Sequence, residues 1–184
     1  MVRSVLAAAV TIAVAVAVVN AQKTTEVHPG KGGSPHVRTE WTIDGANISI
    51  EYGRPALTSP KDGKVRGDSE VMPPGQVWRT GADEATTLKT DKMLMFGGTH
   101  LSPGTYTLWT LPGEKEWLLI FNKQTGQWGT TYDAKQDLAR EKMTIQKTAK
   151  PVERLTISID DTPKGATLRI EWGTASASIP FMVM

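Results

Sequence analysis

The sequence predicts an all-β protein, an antiparallel β-sandwich of jelly-roll or immunoglobulin-like kind with one short helix near 133–140. Three observations carry this. Beyond residue 36 apolar residues alternate with a period of two, which places them on one face of a strand. Turn signals recur every eight to twelve residues, Pro-Gly at 74–75, 103–104 and 112–113 among them. Helical spacing is confined to a single stretch, too short for an α/β layout.

Taken in order, "VRTEWTI" (37–43) and "NISIEYG" (47–53) flank Asp44-Gly45, a hairpin signal that puts Ile48, Ile50 and Tyr52 on one face. Residues 55–76 have no period and read as a long surface loop. "TYTLWTL" (105–111) and "EWLLIFN" (116–122) are joined by "PGEK". In the second, Trp117, Leu119 and Phe121 share one face and Leu118 and Ile120 the other. That strand is central and covered twice, or its outer face is shielded by a loop. Trp109 shares its face with Thr105 and Thr107 and is expected to be partly exposed. "YDAKQDLAREK" (132–142) supplies the helix, with Asp133 as N-cap. "RLTISID" (154–160), "TLRIEWG" (167–173) and "SIPFMV" (178–183) return to alternation. Pro180 lacks an amide donor, so the last strand belongs at an edge or carries a bulge.

The ends set the compartment. Arg3, an apolar run from Val5 to Val19 and the small residues Val19-Asn20-Ala21 have the layout of a secretory signal peptide over 1–21. The run is shorter than the roughly 20 apolar residues a spanning helix needs. Residues 22–36, rich in Gly, Pro and Lys, read as a flexible leader, and 37–184 as a single sandwich domain. Loss of 21 residues from 184 leaves 163, and with Arg3 gone the formal charge falls from +2 to +1. A near-neutral chain of mixed sign argues against a nucleic-acid partner. No cysteine is present, so neither a disulfide framework nor a lipid anchor is available. The expected product is exported and soluble, periplasmic or extracellular, with no stable membrane anchor after cleavage.

Several runs together carry a resemblance. These are "IEYGRPAL" (50–57), "VWRTGADEATTL" (77–88), "LSPGTYTLWTLPGEKEWLLIFNKQTGQWGT" (101–130) and "VERLTISID" (152–160). The chain resembles a bacterial family of exported proteins known as domain of unknown function 2911, from about Ser34 to the end. Its most specific pieces are Tyr-Gly-Arg-Pro and Trp-Arg-Thr-Gly-Ala. Asp83 stands where the family more often has Asn, which leaves the turn-forming role intact. The resemblance implies the fold and export, and no catalytic residues.

The candidate site comes from the charges in those runs. Arg79 and Glu84 flank a Thr-Gly-Ala-Asp turn beside Trp78, and the expectation is that they are mostly buried and in contact. Arg54 and Glu51 have the same character on another strand. Two readings are open. The pairs are structural bridges tying a loop to a sheet, or Arg54, Arg79 and Glu84, with Tyr52 and Trp128, line a pocket for a carboxylate, phosphate or sugar. Trp128, in a polar Gly-rich loop, either plugs the core's edge or offers a stacking surface, and the plug is favoured. His28, His36 and His100 sit at no close ligand spacing, so neither a metal nor a cofactor is expected. No catalytic motif is present. The sequence therefore favours a non-catalytic binding module for a small polar or anionic ligand, a carbohydrate or a carboxylate. The alternatives are a carbohydrate- or ester-active hydrolase with Glu84 or Glu51 as acid/base, and a purely structural envelope protein.

Overall fold

The computed structural model describes residues 22–184; the expected signal peptide lies outside the described residues. Alternation becomes strand nearly everywhere it occurs. β2 (His36–Ile43) and β3 (Ala46–Gly53) form a hairpin, with Asp44 and Gly45 at φ 47° and 74°. Two consecutive left-handed residues match the twist of the flanking strands. β4 (Thr87–Thr90), β5 (Leu94–Phe96), β6 (Thr99–Leu101), β7 (Gly104–Leu111) and β8 (Trp117–Asn122) follow. Two long strands close the chain, β9 (Asp137–Thr162) and β10 (Gly165–Val183). With β1 (Lys23–His28) they make one antiparallel sheet of ten strands, ordered β1-β2-β3-β4-β7-β8-β9-β10-β5-β6.

β9 explains how one sheet becomes a sandwich. Its 26 residues would extend roughly 85 Å if straight, far more than a domain of this size is wide. The strand serves both halves of the fold. Residues 137–143 pair with β8, and residues 144–162 pair with β10. Between Glu171 and Ala175 the β10 register slips twice, its partners jumping from Thr156 to Val152 to Lys147, and such irregularities bend a strand. The sheet thus folds over on itself around one core. Phe96 and Phe121, from the two halves, lie 4.8 Å apart, and Trp78 stacks on Trp172 at 5.9 Å. Ile48, Ile50, Leu88, Leu108, Leu119, Leu155, Ile157, Leu168 and Ile170 fill the space between.

A smaller apolar cluster covers the opposite face of β7 and β8. Trp109, Ile120 and Ala85 form it, with Val77, Leu111 and Tyr132 packed around. This is the loop shield that the doubly apolar β8 required, since residues of opposite parity on a strand face opposite ways. Trp109 is consequently buried, not partly exposed, and its indole N–H donates to Thr107 Oγ1 at 3.0 Å.

Three local readings change. The segment read as a leader contains β1, an edge strand paired to β2 over Lys23–His28. Its side chains are nearly all exposed, so burial imposes no alternation to read. The helix near 133–140 shrinks to one 3-10 turn, Ala134–Gln136, with Asp133 capping Lys135 N–H as expected. From Asp137 the chain is already strand, because β8 offers an open edge and Ala139 packs against the core. The long loop holds the only α-helical turn among the described residues, α1 (Asp68–Val71), fastened to β10 where Asp68 accepts from Thr174 N–H at 3.2 Å. Pro180 sits where β10 passes from β9, paired as far as Ser178, to β5, paired from Phe181. Among the described residues no helix is long and apolar enough to cross a membrane.

Candidate functional site

The Trp-Arg-Thr-Gly-Ala run is a tight turn pressed between two other runs. Trp78 bonds to Thr110 of β7 through both backbone groups, at 2.7 and 2.9 Å, and Asp83 O accepts from Gly129 N–H at 2.8 Å. Between these anchors Thr80 and Asp83 take φ values of 56° and 62°, unusual for a β-branched residue. Thr80 is held there by burial and by hydroxyl contact with Thr110 at 3.2 Å, while its carbonyl accepts from Thr86 Oγ1 at 3.0 Å. The turn fits only because its neighbours lack side chains. A Cβ on Gly53 would lie 2.3 Å from Ala82 O, and one on Gly129 would lie 2.2 Å from Arg79 Cδ. Tyr-Gly-Arg-Pro, Trp-Arg-Thr-Gly-Ala and Gln-Trp-Gly are thus one packing unit.

The turn parts the two residues expected to pair. Arg79 lies along Gly129 and is half-buried, while Glu84, past the turn, bridges Trp128 through its backbone. No ion pair joins them, because the left-handed residues at 80 and 83 turn the chain so that its flanks serve different neighbours. Arg54 and Glu51 do not pair either. Glu51 accepts from Arg38, its cross-strand partner, at 2.6 and 2.9 Å. Arg54 instead donates through Nε to Leu155 O at 3.0 Å and through Nη2 to Thr156 Oγ1 at 3.1 Å. Tyr52 is buried, and its hydroxyl accepts from Ile157 N–H at 2.9 Å. Both residues tie one half of the sandwich to the other. Trp128 is 36 % exposed with the Lys31 ammonium 4.8 Å from its ring centroid, so it is an open aromatic face and not a plug.

On one flank of the turn lies a cavity of about 340 Å³, lined by Lys31, Arg66, Trp78, Arg79, Asp83 and Trp172 among others. Asp83 already accepts from Lys31 N–H at 2.7 Å. Arg66 donates to the carbonyls of Ala56 and Leu57 and lies 5.5 Å over Trp172. Arg79 alone of the two arginines has no hydrogen bond or ion pair among the described residues. A larger cavity, about 480 Å³, opens over β2 and β3, but there Asp91 is taken by Asn47 at 2.6 and 2.8 Å.

Next to Glu84, β1 and β2 bring His28 directly opposite His36. The rings stack at 4.6 Å, inclined by 11°. His36 is 3 % exposed in its side chain, with Nδ1 3.4 Å from Glu84 Oε2 and Nε2 3.8 Å from Glu51 Oε1. His28 Nε2 lies 3.8 Å from Glu84 Oε2, and its Nδ1 accepts from Gly30 N–H at 3.1 Å. His36 Nδ1 and Glu84 Oε2 are both buried without a hydrogen-bond partner. Burial is the largest influence on His36 and pushes its pKa below the ordinary value; Glu84 opposes this, His28 adds to it, and Glu51 and Asp83 oppose it. Near neutral pH the imidazole is therefore uncharged, and its contact with Glu84 is not a salt bridge.

Sequence reasoning missed both histidines because they are eight residues apart in the chain. The usable signal was "HPGKGGSPH", a His-Pro and a Pro-His bracketing a Gly-rich turn, which would place two imidazoles opposite one another if the flanks paired. Lys31 and Arg66 were hidden for the same reason: the loops that carry them have no period. No curated protein and no solved structure matches the chain. A family model does match, over residues 34–181, and the chain belongs to that family, described as protein of unknown function DUF2911.

Proposed function

We propose that the protein is an exported, soluble, non-catalytic binding module for a small anionic ligand, a carboxylate or a carboxylated sugar, anchored by Arg79. The observation that supports this is the idle guanidinium. Arg79 is half-buried at the wall of a cavity of about 340 Å³, where every other charged group has a protein contact or lies at the open rim. A planar fork of donors left without acceptors suits a carboxylate or phosphate. Trp78, half-buried in the same lining, supplies flat apolar surface of the kind a sugar ring uses. Export rests on the layout of residues 1–21.

Hydrolysis is less well supported. Glu51 is held by Arg38, and Glu51 and Glu84 reach different nitrogens of the buried His36 ring, which stands between them. Two carboxyls flanking a scissile bond need open space between them.

Titration calorimetry with citrate, glucuronate and inorganic phosphate tests the reading. At least one should bind saturably, and Arg79→Met should weaken it about 10-fold or more, the loss of one charge-assisted hydrogen bond. Arg169→Met, outside the cavity lining and paired with Asp160, should leave it unchanged. Equal affinity of the Arg79→Met and wild-type proteins would sink the idea.

A further inference from the structure

The geometry points to a divalent transition-metal site made by His36 Nδ1, Glu84 and His28 beside the turn. One ligand atom from each lies within 4.8 Å of the others. Tetrahedral coordination at zinc distances sets ligand atoms about 3.3 Å apart. His36 Nδ1 and Glu84 Oε2 already stand at 3.4 Å, and Glu84 to His28 Nε2 is 3.8 Å. Two buried acceptor atoms without partners, facing each other at that spacing, are an arrangement that a protein interior avoids unless something bridges them.

The surroundings of His36 support the assignment. Its Nε2 lies 3.8 Å from Glu51 Oε1, and Glu51 is itself fixed by Arg38 at 2.6 and 2.9 Å. A proton on Nε2 directed at Glu51 leaves the Nδ1 lone pair free and aimed at Glu84. At 3.8 Å the two atoms stand beyond hydrogen-bond reach; drawn together on metal binding, they would form the carboxylate–imidazole–metal relay by which proteins orient ligating histidines. His28 completes the set by moving. In the parallel stack the lone pairs run side by side, so its ring must rotate and release Gly30 N–H. At 40 % side-chain exposure, on an edge strand, it has the room. Two imidazoles and a carboxylate without thiolate suit zinc, nickel, copper or iron better than magnesium or calcium. Three protein ligands leave a coordination position open, as in zinc sites that bind or activate a small molecule.

The site does not depend on anion binding by Arg79, and the test keeps the two apart. Untagged protein freed of metal by a chelator is titrated with Zn²⁺, then with Co²⁺ as a visible reporter. The expected result is one ion per chain, intense Co²⁺ bands of a low-coordinate nitrogen–oxygen site, and a raised melting temperature. Mg²⁺ should do neither. Glu84→Gln, nearly isosteric at a half-exposed position and so expected to fold, should weaken Zn²⁺ by more than about 100-fold. Glu51→Gln should weaken it by about 10- to 100-fold while leaving the stoichiometry at one. His28→Gln should shift the Co²⁺ spectrum towards higher coordination. Arg79→Met should bind Zn²⁺ as wild type does. Failure of Zn²⁺ to bind the folded wild type, or unchanged affinity in Glu84→Gln, would overturn the assignment.

Discussion

Tyr52 and Arg54, one residue apart on either side of Gly53, differ from His36 and Glu84 in one respect. All four bring polar groups into or against the interior. Tyr52 and Arg54 meet backbone partners on the opposite half of the sandwich, at 2.9 and 3.0 Å. His36 Nδ1 and Glu84 Oε2 meet at 3.4 Å, with His28 Nε2 3.8 Å from the carboxylate, and neither atom has a hydrogen bond. The first pair stabilises the fold in every state of the protein. The second leaves desolvated atoms uncompensated, a cost of roughly 1–3 kcal/mol per group, until a ligand arrives. Arginines divide the same way: Arg54 has used its donors and Arg79 has not. Between these two pairs and these two arginines the difference is whether the polar group is satisfied, and not whether it is charged.

Crowding at Gly53 gives the largest expected effect, because it breaks both regions at once. In Gly53→Ala the new Cβ would stand 2.3 Å from Ala82 O and 2.9 Å from Ala82 C. These are backbone atoms of a turn anchored at both ends, so the contact cannot be relieved by a rotamer. Overpacking of this kind costs about 3 kcal/mol at its upper usual range. A denaturant midpoint equal to wild type would show that the turn yields and that the packing unit is looser than the distances imply.

The two arginines sharpen the comparison at smaller magnitude. Arg54→Met keeps the stem but leaves Leu155 O without its donor, for an expected loss of about 1–3 kcal/mol. Arg79→Met keeps the stem along Gly129, removes no hydrogen bond or ion pair, and should fall within about 0.5 kcal/mol of wild type. Parallel urea melts measure both. Equal losses in the two variants would mean that exposure alone, and not the use of donors, sets the outcome.

How much of this was legible follows from where period and burial coincide. Ile48, Ile50 and Tyr52 alternate because one face of β3 is core and the other is not, so the strand could be read directly. β1 could not, since nothing on it is buried. Asp133 was read correctly as a cap, yet the helix it should begin stops after one turn, since pairing with β8 overrides local propensity. At the site, Arg79, Glu84 and Trp128 were singled out, but Arg79 and Glu84 were expected to pair with each other and Trp128 to plug the edge of the core. Which neighbour a side chain meets there depends on left-handed φ values at Thr80 and Asp83, and neither residue type announces that conformation. The His28–His36 contact depends on register across a seven-residue connection, which composition does not encode.

The smallest expected effect concerns pH, and it isolates His36. Its folded pKa lies below the ordinary value because burial disfavours the imidazolium, with His28 adding to this; Glu84, Glu51 and Asp83, the carboxylates facing it, only partly oppose the shift. The unfolded chain therefore takes up this proton first as pH falls. Stability contributed by the neutral ring is fully present above the unfolded pKa of about 6.5 and is lost as pH falls through that value towards the folded one. Ordinary carboxylates titrate near pH 4, so the window just below 6.5 is where the proton on His36 is read. Metal-free wild type should lose stability on going from pH 7.5 to pH 5.5 more steeply than His36→Gln, which has no proton to gain there. His28→Gln tests the neighbour: with one like charge removed from beside His36, the wild-type slope should become shallower without vanishing. Stability profiles that run parallel for wild type and His36→Gln across this window would show that the buried ring is solvated well enough to ionise freely. The unpartnered Nδ1 would then be wet, and the contrast with Tyr52 and Arg54 would fail at its sharpest point.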